Sequence, residues 1–453
     1  MNQRWTLHIE NFARIDSADI EISPLLCFIG DNNSGKSYIM NLLWGIIANG
    51  HMFYYDQNKC CVDSPEYAKC NEWLLANVGK KVEIIPDIAQ KYIDWFNKIL
   101  NFNKAGLLQN IFNYKMEIGR IEIRNFTTDN LVQIALNDKT AQRGYGYIPK
   151  SATEFEVDIY VGDAESNFFV NFLICWHLLM FDLTRIANSL EDKDGEPPIY
   201  LPASRTGLLL VHKLIASRAT RKIFSINPME NFQETLTAPY VQFLDLLIKL
   251  QNTAEITSER KLTLIKFLQD EVIHGNITVK EDGKIIRYSP KDSATTELPM
   301  SVTSSVVTEI ASLLLLMTTR LPLRLIIIEE PEAHLHPALQ KKIAQFLVQL
   351  VHSGIPIWIT THSDTILQHF NNMIKLNNRP DADRQQLLQD FNYTSEDLLS
   401  PEEINLYQFE RGEKHTKITK LQSGKYGFVV PSFNNSIDKL MTEIFAFQDQ
   451  EDE

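Results

Sequence analysis

With 453 residues, 44% of them hydrophobic and 22% charged, the chain has the length for two or three domain-sized units and the apolar content for a true core, while 18 glycines and 18 prolines exclude a collagen-like or low-complexity chain. Lys and Arg number 44 against 57 Asp and Glu, and a formal charge of −13 excludes a surface that coats nucleic acid by charge alone, leaving only a local basic groove. The five cysteines (Cys27, Cys60, Cys61, Cys70 and Cys175) are sparse and odd in number, as expected of free thiols in a reducing compartment; His51, Cys60, Cys61 and Cys70 lie close together but lack the Cys-x2-Cys spacing of a zinc site.

Residues 1–50 predict short strands, a loop and a helix. Trp5 to Ile9 and Ala18 to Ile22 alternate, Leu25 to Ile29 is a continuous apolar run, and Tyr38 to Ala48 carries apolar residues at helical spacing. No apolar signal segment lies between Met1 and Ser17, so a cytoplasmic location is expected. Residues 51–195 change character, with strand-like runs at Lys81–Ile85, Met116–Arg124 and Leu131–Leu136, and predict an inserted mixed α+β lobe. Phe168 to Leu183 is the most membrane-like stretch. It is interrupted by Asn171, His177 and Asp182, falls short of the ~20 residues a span requires, and predicts a buried helix instead.

Residues 196–275 predict a strand running into a loop over Ile199 to Arg205, and then a mainly helical segment, 207–272, with breaks at Pro228 and Pro239. Residues 276–380 predict a hairpin across Glu281–Lys284, a helix from Val302 to Thr319, a buried strand ending at Ile328, a helix from Ala338 to His352 and a second buried strand, Ile355 to Thr360. Residues 381–453 are expected as an extension completing the same unit, with Asp381, Asp383 and Asp390 on a polar surface loop rather than in a nuclease cluster. Alternating helices and near-continuous apolar strands predict an α/β fold around a mainly parallel sheet.

The strongest chemical signal is Gly30-Asp31-Asn32-Asn33-Ser34-Gly35-Lys36-Ser37, a phosphate-binding loop between a predicted strand and helix. Its glycines let backbone N–H groups converge on phosphate oxygens, Lys36 reaches the terminal phosphates, and the Ser37 hydroxyl suits Mg²⁺. The second signal, Leu325-Ile326-Ile327-Ile328-Glu329-Glu330-Pro331-Glu332, delivers two adjacent carboxylates at a strand end. Because successive strand residues point to opposite sides, Glu329 is expected at the metal and Glu330 at the attacking water. The third, Thr360-Thr361-His362, ends another strand and places His362 where it senses or stabilises a γ-phosphate. The fourth, Met300 to Ser305 before a helix, has two readings: Ser304 and Ser305 are ordinary caps, or they receive a γ-phosphate at a helix N-terminus.

In this order the residues resemble the ABC-type ATPases of the SMC, RecF and OLD group. Leu7-His8-Ile9-Glu10-Asn11-Phe12 and Ile20-Glu21-Ile22 look like that group's opening strands, Ile328 to Pro337 its Walker B and D-loop, and Thr361-His362-Ser363 its switch histidine. A bacterial subgroup of stand-alone ATPases, many from anti-phage defence loci, also carries a segment similar to Leu201-Pro202-Ala203-Ser204-Arg205-Thr206-Gly207. The resemblance lies in residues 1–50 and 295–380.

It implies an ABC-type P-loop head binding ATP and Mg²⁺, with two copies closing head to head around two nucleotides. Ser304 and Ser305 would act as the signature that meets the partner's nucleotide, although they depart from Leu-Ser-Gly-Gly, and Glu329 stands where aspartate is more common. Arg205 is either a nucleotide contact or a structural ion pair. The expected function is ATP hydrolysis that regulates a separate toxin or nuclease in anti-phage defence. The rivals are a RecF-like ATPase binding duplex DNA and an ATP-locked scaffold without turnover; no membrane partner is expected.

Overall fold

The computed structural model describes residues 1–50, 59–138, 146–159, 164–184, 198–212, 215, 236–249, 258–280, 285–292, 296–318, 323–424, 427–430 and 441–447. β1 (Gln3–Phe12) and β2 (Ile15–Glu21) form an antiparallel hairpin, with Phe12 opposite Ile15 beside its turn. β3 (Leu25–Gly30) then leaves for a second sheet and is buried along its whole length, which is why it reads as an unbroken apolar run. The glycine loop follows, and α1 (Lys36–Ala48) begins at Lys36.

The next segment contains α2 (Pro65–Ala76), β4 (Lys81–Ile84), α3 (Pro86–Phe112), β5 (Ile118–Thr128), β6 (Val132–Asp138), β7 (Gly146–Ser151), β8 (Glu154–Ile159) and α4 (Ala164–Met180). Pro65 and Pro86 open their helices, where the missing N–H would have no intrahelical partner anyway. Ser64 caps α2 by accepting from the Tyr67 N–H at 3.1 Å. Strands β4-β6-β8-β7 form one sheet, but β5 pairs antiparallel with β1, Ile9 opposite Ile121, giving the order β2-β1-β5. The described residues between 59 and 184 thus share a core with residues 1–50: Leu7, Ile39, Phe96, Ile121 and Phe172 belong to one buried cluster. The apolar stretch at Phe168 forms the buried α4, and among the described residues no helix is long and apolar enough to cross a membrane. His51 lies outside the described residues, as does the side chain of Cys60, while Cys61 and Cys70 are buried.

The remaining elements are β9 (Ile199–Leu201), α5 (Ala238–Lys249), α6 (Glu259–Glu271), β10 (Gly275–Lys280), β11 (Ile285–Pro290), β12 (Leu298–Pro299), α7 (Ser305–Met317), β13 (Ile326–Glu329), α8 (Pro337–His352), β14 (Ile357–Thr361), α9 (Asp364–Asn377), α10 (Asp381–Asp390), β15 (Ile404–Arg411) and β16 (Thr416–Leu421). The main sheet runs β16-β15-β3-β14-β13-β9, parallel throughout except for β16 at the edge. β10 and β11 make the expected hairpin. Pro239 sits in the first turn of α5, so the break falls just before it; Pro228 lies outside the described residues. Asp381, Asp383 and Asp390 correct the expectation of a surface loop, because they lie in α10. Only Leu388 of that helix is buried, so it carries no apolar stripe by which a sequence shows helical period.

The two faces of the main sheet follow from strand alternation. Leu26, Phe28, Tyr200, Ile327, Trp358 and Tyr407 face the core shared with α1, α3 and α4. Leu25, Cys27, Leu201, Ile326, Ile328 and Ile359 face the opposite core, filled from α7, α8 and α9. Full burial of each large side chain contributes ~1.5–3 kcal/mol relative to exposure, so helices on both faces fix the sheet and its ends. The result is the α/β fold expected, with the glycine loop following a central strand of a mainly parallel sheet.

Candidate functional site

The phosphate-loop strand β3 and the acidic strand β13 are not neighbours; β14 lies between them. Register brings their C-terminal ends level, with Ile29 opposite Thr361 and Thr360 opposite Glu329. Whatever follows each strand therefore meets at one sheet edge, where ligands of open α/β sheets bind.

The loop from Gly30 to Ser37 is shaped by close backbone approaches. Gly30 has φ 131° and a Cβ there would lie 2.0 Å from the Phe409 carbonyl oxygen of β15, so only glycine fits. Gly35, φ 97°, turns the chain into α1 and sits against Ile15, while Asn33 adopts a left-handed φ of 58°. Asp31, Asn32 and Asn33 are exposed, Ser34 is buried and Ser37 is exposed at the start of α1. Lys36 is buried, and its Nζ donates to the Gly30 carbonyl at 2.9 Å, the Asp31 carbonyl at 2.7 Å and Ser34 Oγ at 3.4 Å. Burial lowers the Lys36 pKa to about 8, although Glu330, Asp31, Glu332 and Glu329 all favour its charge.

The two adjacent glutamates part company. Glu329 is 4% exposed and on the face that carries α1; its Oε2 accepts from the Ala203 N–H at 3.1 Å. Burial, then the Glu329 carboxylate, pushes the neighbouring Tyr200 phenol up. Glu330 has left the strand with φ 47°, a left-handed backbone that costs a non-glycine residue of order 1 kcal/mol, and its N–H donates to the Thr360 carbonyl at 2.8 Å. Its side chain, 41% exposed, reaches His362: Oε1 is 3.7 Å from Nε2. The His362 ring also lies against the Gly30 carbonyl; burial first, then the Lys36 ammonium, lowers its pKa below the ordinary histidine value, so it is neutral at neutral pH.

The sequence motif contained Glu332 without assigning it a task. Its Oε1 accepts from the Thr361 hydroxyl at 2.8 Å and the His362 N–H at 2.7 Å, tying the turn after β13 to the turn after β14. Burial raises its pKa and those two bonds oppose the rise. No spacing rule reports that link, because it joins two strands by a side chain. Of the two alternatives for Arg205 the ion pair is present: Arg205 is 3% exposed and bonded to protein groups, among them Glu309. Ser304 caps α7, accepting from the Val307 N–H at 3.4 Å, and both Ser304 and Ser305 are exposed. Nothing in the described residues joins them to the Lys36 loop of the same chain.

Lys36, Glu330 and His362 thus gather beside Gly30, with Glu329 behind. Four carboxylates face one ammonium there, and that surplus of negative charge fits a divalent cation accompanying a polyphosphate, with Ser37 and Glu329 as the residues that would hold it. Fold and site together define a P-loop nucleotide-binding protein. A model of the AAA ATPase domain matches residues 6–125 and 211–367, more than half of the chain, and the chain belongs to that family. A comparison with curated protein sequences finds no match.

Among solved structures the chain is similar to an Smc head bound to the C-terminal winged-helix domain of ScpA, at 9% identity and TM-score 0.37 over 92% of this chain and 97% of that one. It is similar to the SMC head domain from Thermotoga maritima at 8% identity and TM-score 0.36, over 92% and 99%. A third, the Smc head with an extended coiled coil bound to the C-terminal domain of ScpA derived from Pyrococcus furiosus, matches at 9% identity and TM-score 0.36, over 98% and 99%.

Proposed function

We propose that the protein is an ATP-hydrolysing, ABC-type switch in which nucleotide closes two copies head to head. The observation that carries this reading is the convergence of Lys36, Glu330 and His362 beside Gly30. Lys36, freed from the Gly30 and Asp31 carbonyls, binds the terminal phosphates together with the loop N–H groups. Ser37 and Glu329 would hold Mg²⁺, which would supply charge neutralisation at the phosphates. Glu330 accepts a proton from the attacking water, and His362 in its neutral form donates a hydrogen bond towards the γ-phosphate. Ser304 and Ser305, exposed at the N-terminus of α7, meet the nucleotide held by the second copy. Loss of the γ-phosphate removes the contact that favours closure. The change is passed to a separate effector, a toxin or nuclease of an anti-phage system in the cytoplasm, a role supported by sequence resemblance.

Two variants test the site. Lys36→Ala is expected to abolish ATP binding in calorimetry with the fold intact, and wild-type affinity would refute the loop assignment. Glu330→Gln is expected to keep ATP affinity and reduce turnover by about 10²–10⁴-fold. Equal turnover in the two proteins would favour a nucleotide-locked scaffold instead.

A further inference from the structure

A second polar assembly lies buried behind the strand ends. Arg205 opens the helical stretch 205–212 just after β9. Its Nη1 donates to the carbonyl of Glu329 and, at 3.2 Å, to that of Pro202; its Nη2 donates to the Glu330 carbonyl at 2.9 Å and pairs with the Glu309 carboxylate. Glu309 is 1% exposed and belongs to α7, little more than one turn from its cap Ser304; its Oε2 also accepts from the Thr206 hydroxyl. One guanidinium therefore holds the backbone of both adjacent glutamates and the helix that presents Ser304 and Ser305.

Each contact is directional. The planar fork of arginine satisfies several acceptors at fixed angles, which a lysine ammonium cannot do. The carbonyl gripped by Nη2 belongs to Glu330, the residue with the left-handed backbone. That peptide sets where the Glu330 carboxylate points. A buried ion pair contributes little net stability compared with well-packed apolar side chains, so the geometry it imposes is its larger effect.

We propose that Arg205 is a positioning residue that couples α7 to Glu330. When the N-terminus of α7 engages nucleotide on a second copy, its displacement passes through Glu309 and Arg205 to the Glu329 and Glu330 carbonyls. The Glu330 carboxylate is thereby aligned only in the closed pair. The proposal rests on Glu330 activating water and on Ser304 and Ser305 meeting the partner's nucleotide.

The test compares kcat, KM and ATP-dependent thermal shift in two proteins: Arg205→Lys, which keeps the charge and the pairing with Glu309, and Arg205→Met combined with Glu309→Leu, which replaces the pair by apolar side chains of similar size. Both are expected to show the wild-type shift with ATP and an unchanged KM, while kcat falls about 100-fold, as misplacement of a reacting group by about 1 Å would produce. A purely structural role predicts wild-type kcat in any variant that folds, and that result overturns the proposal. Should the double variant not fold, Arg205→Lys alone decides by the same criterion. Failure of the underlying reading shows separately, as unchanged turnover in Glu330→Gln, and removes this proposal with it.

Discussion

Burial strips an ammonium of hydration, and at Lys36 that cost outweighs four surrounding carboxylates, leaving the amine with a pKa of about 8. A polyphosphate beside the amine favours its charged form and raises that pKa. The sign follows: below pH 8 Lys36 is already protonated and ATP affinity is level, while above pH 8 binding must take up a proton and weakens by up to about tenfold per pH unit. Calorimetry from pH 7 to 9.5 should show this decline, with a binding enthalpy that depends on the buffer above pH 8; a flat profile would contradict it. Sequence displayed Lys36, Glu329, Glu330 and His362 because each ends a run of local pattern. It did not display Glu332 as a tie to Thr361 and His362, nor the four-way grip of Arg205, because those bonds join residues distant in the chain and leave no periodicity.

At the level of elements, helix packing explains why a glycine sits inside α1. A Cβ on Gly45 would lie 2.0 Å from Ile111 Cδ1 and 2.3 Å from its Cγ1, so α1 and α3 approach over a residue without a side chain. Glycine in a helix interior costs ~1 kcal/mol relative to alanine, but overpacking here costs about 1–3 kcal/mol, so Gly45→Ala should be net destabilising. Ile111→Ala removes both clashing carbons and leaves its Cβ at 3.6 Å. Urea unfolding of the two single variants and their combination should therefore show a favourable coupling; strictly additive losses would mean the helices accommodate the methyl elsewhere. The chain pattern gave α1 and four strands of the main sheet, β3, β9, β13 and β14, but not β15 or β16, which lie in residues expected only as an extension. It missed α10, whose helix is nearly all polar, and the pairing of β5 with β1, since alternation identifies a strand without naming its neighbour.

For the whole molecule, Ser304 and Ser305 are the residues that test assembly. They are exposed, and no contact among the described residues joins them to the Lys36 loop of their own chain, so a charge placed there should leave nucleotide binding alone and disturb only the joining of two copies. In a Glu330→Gln background, which holds ATP without consuming it, sedimentation should show ATP-dependent dimers. Adding Ser305→Glu should return the protein to monomers, because its carboxylate would face a triphosphate across the interface. Dimers that persist with unchanged affinity would place the contact elsewhere. The parallel α/β class and the acid-bearing strand β13 were legible in advance. The core that the described residues between 59 and 184 share with the head was not, since it depends on how α3, α4 and β5 pack rather than on where they begin and end.

The position of β3 sets an order of events for a chain emerging from the ribosome. It is the third strand to be made, yet it lies between β14 and β15, and Gly30 takes its shape against Phe409. A nascent polypeptide carrying only its first half would hold the glycine loop with no wall behind it. The surface against which Gly30 packs is complete only once synthesis has passed β15.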